Sequence, residues 1–67
     1  MKDIDLIKKQ AEIIVNLYNA NKFAEVIHKG KILIKKFPDQ VIFYNATSLS
    51  LSALGKDDEA LLIMKDA

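Results

Sequence analysis

Residues 21–27 read Asn-Lys-Phe-Ala-Glu-Val-Ile, and residues 55–61 read Gly-Lys-Asp-Asp-Glu-Ala-Leu, at an interval of 34 residues. Within this echo Lys22 and Glu25 return as Lys56 and Glu59, and an apolar pair follows in both copies. A short unit repeated at this period is typical of helical repeat proteins, in which each unit buries its apolar face against its neighbour. The echo therefore predicts paired helices, and it favours a binding scaffold over a catalyst.

Apolar residues recur every three or four positions along the whole chain, which is the spacing of amphipathic helices. The clearest stripe is Phe23, Val26, Ile27, Gly30, Leu33, Ile34 and Phe37. The other stripes are Ile4, Ile7, Ala11, Ile14 and Tyr18, then Val41, Ile42, Tyr44, Leu49, Leu51 and Leu54, and finally Ala60, Leu61, Met64 and Ala67. No stretch keeps the alternating pattern of a strand for more than four residues. The predicted fold class is all-α.

Turn-forming residues divide the chain into four predicted helices, near residues 4–19, 22–36, 39–54 and 57–67. The segment Asn19-Ala20-Asn21 separates the first two helices, because asparagine tolerates the left-handed conformation found at helix ends, and Gly55 ends the third helix. Pro38 suits the first turn of a helix, and Asp39 is an acid placed at a helix start. The short connections predict antiparallel neighbours within one domain spanning residues 1–67.

Composition narrows the function classes. The chain of 67 residues has no cysteine and a single histidine, His28, so neither a disulfide nor a structural metal is expected to stabilise it. A net charge of +1 gives little support for a dedicated nucleic-acid binder. No apolar run is long enough to cross a membrane, and the acidic start is unlike a signal peptide. We therefore expect a soluble, cytoplasmic protein with no cofactor.

These residues resemble the tetratricopeptide repeat family, in which two antiparallel helices form a unit. Residues 54–60 look like the family's glycine-lysine-aromatic turn, with Asp57 in place of the aromatic, and Phe37-Pro38 looks like its closing proline. The family's aromatic, glycine and two alanines are matched by Tyr44, Ser48, Ala60 and Ala67, whereas the first copy departs at Gln10, Ile14, Val26 and Leu33. The resemblance implies a repeat at residues 5–38 and an incomplete one at residues 39–67.

The resemblance also implies a concave groove lined by the first helix of each repeat. Its residues would be Ala11, Val15, Tyr18, Ile42, Asn45, Leu49 and Ser52. Some family members hold a peptide carboxylate with lysine and asparagine, but Ala11 and Val15 occupy those places here. A moderately apolar groove for a peptide or helix is expected instead. The same residues could equally pack against a neighbouring helix, and the sequence leaves both interpretations open.

The second repeat stops about one turn short, so Ile63 and Met64 are expected to form an uncovered apolar edge. Helical repeats generally need about three units and a polar terminal face. The chain is therefore either a fragment of a longer array or a protein that associates with itself as a homodimer or larger oligomer.

No catalytic group of residues is visible. His28 lacks further metal ligands, and Asp57, Asp58 and Glu59 are best explained as acids at a helix start. Three functions stay open: a protein-interaction scaffold, an accessory segment of a larger bacterial enzyme such as a glycosyltransferase or sulfotransferase, and weak nucleic-acid binding. The last would use the lysine-rich second helix, with Lys29, Lys31, Lys35 and Lys36.

Overall fold

The computed structural model describes residues 2–66, which form helices and no strand. The helices are α1 (Lys2–Asn19), α2 (Phe23–Lys36), α3 (Val41–Ala53) and α4 (Asp57–Lys65). The predicted all-α fold class is confirmed, and each predicted helix is found. Ala67, which the sequence assigned to the fourth helix and to a family alanine, lies outside the described residues.

The turn between α1 and α2 ends α1 with a left-handed residue. Asn21 has φ 62°, and its N–H donates to the carbonyl oxygen of Tyr18 at 3.0 Å. The N–H of Lys22 donates to the carbonyl oxygen of Leu17 at 2.9 Å. This pair of hydrogen bonds is the Schellman motif, which satisfies carbonyl groups left free at a helix end.

The turn between α3 and α4 has the same construction 34 residues later. Gly55 has φ 79°, and its N–H donates to the carbonyl oxygen of Ser52 at 2.9 Å. The N–H of Lys56 donates to the carbonyl oxygen of Leu51 at 2.8 Å. The sequence echo therefore corresponds to a repeated local structure, with the same hydrogen bonds at matching positions.

A lysine–glutamate pair follows each of these turns. The distance between Lys22 Nζ and Glu25 Oε2 is 3.9 Å, and that between Lys56 Nζ and Glu59 Oε2 is also 3.9 Å. All four side chains are at least half exposed, so each pair contributes well under about 1 kcal/mol. The pairs are part of the repeated turn and add little to its stability.

The helix α3 occupies the centre of the fold, because it contacts α1, α2 and α4. The core comprises Ile14, Val26, Leu33, Phe43 and Ala46. Phe43 is the largest of the fully buried side chains, although it lies outside the predicted stripe of α3. Within that stripe Tyr44 and Leu51 are buried, whereas Val41, Ile42, Leu49 and Leu54 are exposed. A helix covered on several sides has no single apolar face, and periodicity alone therefore gave an incorrect stripe.

The helices α2 and α3 come closest where Gly30 faces Thr47. A Cβ atom added to Gly30 would overlap Thr47 Oγ1 and lie 3.1 Å from Thr47 Cβ. Thr47 has little freedom to move aside, because it is fully buried and its hydroxyl donates to the carbonyl oxygen of Phe43 at 2.7 Å. The missing side chain of Gly30 is what permits this approach of the two backbones.

Two further polar residues of α3 are buried beside Thr47. The hydroxyl of Ser48 donates to the carbonyl oxygen of Asn45 at 3.2 Å. The Ser50 hydroxyl is buried and has no hydrogen-bond partner among the described residues. A buried hydroxyl without a partner destabilises a fold, so no hydrogen bond accounts for the presence of Ser50.

The helix α3 begins at Val41, two residues later than the predicted start at residue 39. Pro38 keeps the preceding Phe37 out of helical geometry, with φ −131° and ψ 70°. The N–H of Gln40 then closes a turn onto the Phe37 carbonyl oxygen at 3.1 Å. The carbonyl oxygen of Pro38 accepts the Tyr44 hydroxyl at 2.9 Å. Pro38 and Asp39 therefore form the connection and do not belong to the helix.

The ends of the chain bury fewer apolar residues than their stripes predicted. Ile4, in the first turn of α1, is 59 % exposed. In α4 only Ala60 is buried, and Leu61 is 65 % exposed. No described helix is long and apolar enough to span a membrane.

We expect the substitution Gly30→Ala to destabilise the fold by roughly 1–3 kcal/mol, because its Cβ would displace Thr47 from a packed position. Urea denaturation followed by circular dichroism measures this change. In a chain that already carries Thr47→Ala, the substitution Gly30→Ala should lower the free energy of unfolding by clearly less, since the overlapping oxygen is gone.

Gly55→Ala provides the matched control, since a Cβ at Gly55 meets no atom within 4 Å. Gly55→Ala should lower the free energy of unfolding by about 1–2 kcal/mol, because of the positive φ alone. This loss should be the same with and without Thr47→Ala. Equal costs of Gly30→Ala in both backgrounds would contradict the proposed contact.

Candidate functional site

Large apolar side chains are exposed on α1 and α3, the two helices of the predicted groove. Val15 is 41 % exposed, Ile42 is 38 % exposed and Leu49 is 53 % exposed. Each has a fully or mostly buried neighbour in sequence, such as Ile14 or Phe43, which fills the core from the other side of the helix. These helices therefore bury one face and present apolar residues on another.

The α1 part of the predicted groove lies in a shallow depression of about 520 Å³. Ala11 and Val15 line it together with Glu12 and Asn16. Its lining combines two apolar side chains with one carboxylate and one amide. Such a surface can hold an apolar side chain of a ligand and hydrogen-bond the adjacent backbone.

The α3 part lies in a different depression, between α3 and α4, with a volume of about 310 Å³. Leu49 and Ser52 line it together with Ser48, Asp57, Ala60, Leu61 and Met64. Ile42 and Asn45 are exposed on α3, but neither is among the residues lining these two depressions. The structure therefore does not bring the predicted groove residues together in one depression.

Tyr18, a predicted groove residue, also has a structural role. Its side chain is half-buried, and its ring packs edge-on against Phe23, with ring centroids 5.5 Å apart and an interplanar angle of 69°. Phe23 is the first residue of α2, so this pair joins the two helices next to the Asn21 turn. The aromatic contact makes Tyr18 a less accessible ligand-binding residue than Val15.

The predicted edge at Ile63 and Met64 is partly exposed. Met64 is 45 % exposed and Ile63 is half-buried. Two residues that the sequence did not assign to this edge are more exposed, namely Leu61 at 65 % and Leu62 at 62 %. The signal was available in the sequence, because four consecutive apolar residues on one helix cannot all face the same neighbour.

A groove between α1 and α2 was not predicted. One end, with a volume of about 200 Å³, is lined by Leu6, Gln10, Lys29, Ile32, Leu33, Lys36 and Phe37. The other end, with a volume of about 510 Å³, shares Lys29 and Ile32 and adds Leu17, Ala24, Glu25 and His28. Ile32 is the sequence signal for this groove, since it is an apolar residue outside the apolar stripe of α2, with Lys29 three positions before it and Lys36 four positions after it.

The lysine-rich face of α2 is largely in solvent. Lys31, Lys35 and Lys36 are exposed, and Lys29 is half-buried. The two tyrosines and three phenylalanines of the chain are all buried or half-buried. The described residues therefore present charge to a phosphate backbone without an exposed aromatic ring on which bases could stack.

The remaining polar candidates are exposed and scattered. His28 is in solvent on α2, and within residues 2–66 no three acidic or histidine side chains converge as metal ligands. Asp57, Asp58 and Glu59 occupy the first turn of α4, where negative charge interacts favourably with the helix dipole. The acids thus have a structural explanation within their own helix.

Comparison of the chain with protein-family models, with curated proteins and with solved structures found no match in any of the three.

We expect Tyr18→Ala to lower the free energy of unfolding by about 2 kcal/mol, because it removes a half-buried ring and its contact with Phe23. Asn45→Ala, at an exposed position of α3, should change stability by less than about 0.5 kcal/mol. Chemical denaturation of both variants compares them. A tyrosine variant as stable as the asparagine variant would show that the ring does not support the turn.

Proposed function

We propose that this protein is an interaction scaffold that binds a peptide or a helix of another protein and does not catalyse a reaction. The observation that carries the proposal is the exposure of Val15, Ile42 and Leu49 on α1 and α3. Apolar side chains of this size gain roughly 25 cal/mol for each Å² that a partner covers. A surface of this kind is stabilised by a partner with apolar side chains of its own.

The polar residues around these side chains suit a polypeptide ligand. Glu12 and Asn16 border Val15, and Ser52 lines the same depression as Leu49. A peptide in a groove needs apolar contacts for affinity and hydrogen-bonding groups for its backbone at the rim. The mixed lining supports a peptide or helix over a small apolar molecule.

The repeated turn supports a rigid scaffold. The turns at Asn21 and Gly55 share their hydrogen bonds and their positive φ values, and a buried residue follows each of them, Val26 and Ala60. A repeat of this kind is expected in a tetratricopeptide-like array, whose helices are held by their neighbours. Rigid helices lose little conformational entropy when a ligand binds, which favours affinity.

A ligand can be obtained by selecting peptides from a display library against the whole chain. We expect Val15→Asp and Ile42→Asp each to weaken binding of the selected peptide by at least about tenfold, because a carboxylate would be desolvated in the complex. Isothermal titration calorimetry measures the affinity, and circular dichroism checks that helicity is kept.

Val41→Asp is the matched control, because Val41 is 54 % exposed at the first residue of α3 and is not one of the predicted groove residues. It should leave peptide affinity unchanged. If the selected peptides bind all three variants equally well, the proposed surface is wrong. Binding of single-stranded nucleic acid that falls steeply with salt would instead favour the lysine face of α2.

A further inference from the structure

The helix α4 carries the most exposed apolar residues of the described chain. Leu61 is 65 % exposed, Leu62 is 62 % exposed and Met64 is 45 % exposed. Within residues 2–66 this helix of 9 residues contacts only α3. Its apolar surface is therefore available to another molecule.

The groove between α3 and α4 corresponds to a surface that already holds a helix elsewhere in the fold. Its lining residues Ser48, Ala60 and Met64 match Ile14, Val26 and Gly30 at the interval of 34 residues. In the first copy that surface packs against α3, with Thr47 against Gly30 and with Phe43 in the same core cluster as Ile14 and Val26. By this equivalence the second groove lies where a helix would pack, with Met64 in the place of Gly30, so an incoming helix cannot approach as closely as α3 approaches α2.

Two of the side chains that line the second groove are smaller than their equivalents in the first copy, which leaves room for a side chain of another helix. Ser48 and Ala60 are buried and small, where the first copy has isoleucine and valine. The exposed side chains of Leu49, Leu61 and Met64 stand around them. A bulky aliphatic side chain from an incoming helix can occupy part of the open space of about 310 Å³ that these residues border.

The charged residues of α4 indicate which kind of helix can dock on the α3–α4 groove. Asp57, Leu61 and Lys65 are spaced four residues apart, so they form one row along the helix, about 12 Å long. Asp57 and Lys65 are both exposed, and neither forms an ion pair within the described part of the chain. Leu61 lies at the midpoint of a row that is acidic at one end and basic at the other.

Such a row is complementary to itself when two copies run in opposite directions. A two-fold axis at Leu61 brings Asp57 opposite the partner copy's lysine and Lys65 opposite its aspartate. A parallel arrangement would oppose like charges. Antiparallel pairing thus gives a closed, isologous interface, the form most common in symmetric dimers.

We propose that a second copy of this chain docks on the α3–α4 groove, through antiparallel pairing of α4 with Leu61 at the two-fold axis. The leucine of each copy lies over the groove of the other, and the Asp57–Lys65 pairs at both ends fix the direction. This interface shares Leu49 and Ser52 with the proposed peptide surface, but it does not use Val15 or Ile42.

Charge reversal tests the pairing. Asp57→Lys and Lys65→Asp should each weaken self-association roughly tenfold, because each variant sets like charges opposite one another at both ends. The double variant carrying both changes should recover most of the lost affinity. Sedimentation velocity over about a hundredfold range of concentration measures association, and the melting temperature of the unmodified chain should rise across that range.

Helix stability cannot account for a recovery of this kind. Both reversals oppose the helix dipole, so the double variant has the least stable α4 of the set. Asp58→Lys is the matched control, since it makes the same charge change in the first turn but lies outside the row, and it should weaken association much less. Leu61→Gln should abolish association while leaving helicity unchanged.

Several results would overturn the proposal. One is a monomer whose melting temperature does not depend on concentration, in which case another protein covers the apolar surface of α4. Another is a double variant that associates no better than the single variants. An unaffected Leu61→Gln variant would also overturn it. None of these outcomes bears on Val15 and Ile42, so the peptide surface is tested separately.

Discussion

The close approach of α2 to α3 at Gly30 is the contact on which the rest of this structure depends. Thr47 can sit against the backbone of α2 only because residue 30 has no side chain. That position brings Phe43 into the cluster formed by Ile14, Val26 and Leu33, which joins the first three helices. The helix α4 then attaches to α3 alone, so its location also follows from this single contact.

The apolar pattern of α2 predicted its structure well, because this helix buries one continuous stripe. Every member of the stripe from Phe23 to Phe37 is buried or half-buried. The helix ends at Asn21 and Gly55 were also predictable, since few residues accept a positive φ. Both the buried stripe of α2 and the two helix ends depend on residues close together in the sequence, so they can be predicted from it.

The apolar pattern of α3 predicted its buried residues poorly, because this helix is surrounded by three other helices. Thr47, Ser48 and Ser50 are polar by type, yet they are buried because small side chains are needed where three helices meet. Phe43 faces the core from a position outside the expected stripe. A pattern of polarity cannot show that a polar residue will be buried, and Ser50, whose buried hydroxyl has no partner among the described residues, is the clearest case.

At the candidate sites, too, the sequence predicted properties of single residues and not the arrangement of the helices around them. The sequence indicated that Val15, Ile42 and Leu49 would lie on a common surface, and all three are exposed. It could not show that α4 would draw Leu49 and Ser52 into a separate depression. Which surface a side chain lines depends on what packs beside it, and that depends on helix positions set far away in the chain.

The single attachment of α4 has a consequence for the dynamics of the protein. The helices α1, α2 and α3 contact one another, whereas α4 is held by one neighbour and buries mainly Ala60. A helix held in this way forms a cooperative unit of its own, which opens at a lower free energy than the rest of the molecule. The amide protons of α4 should therefore exchange with solvent through a local opening that leaves the three-helix core folded, and a molecule that covers this helix would slow that exchange.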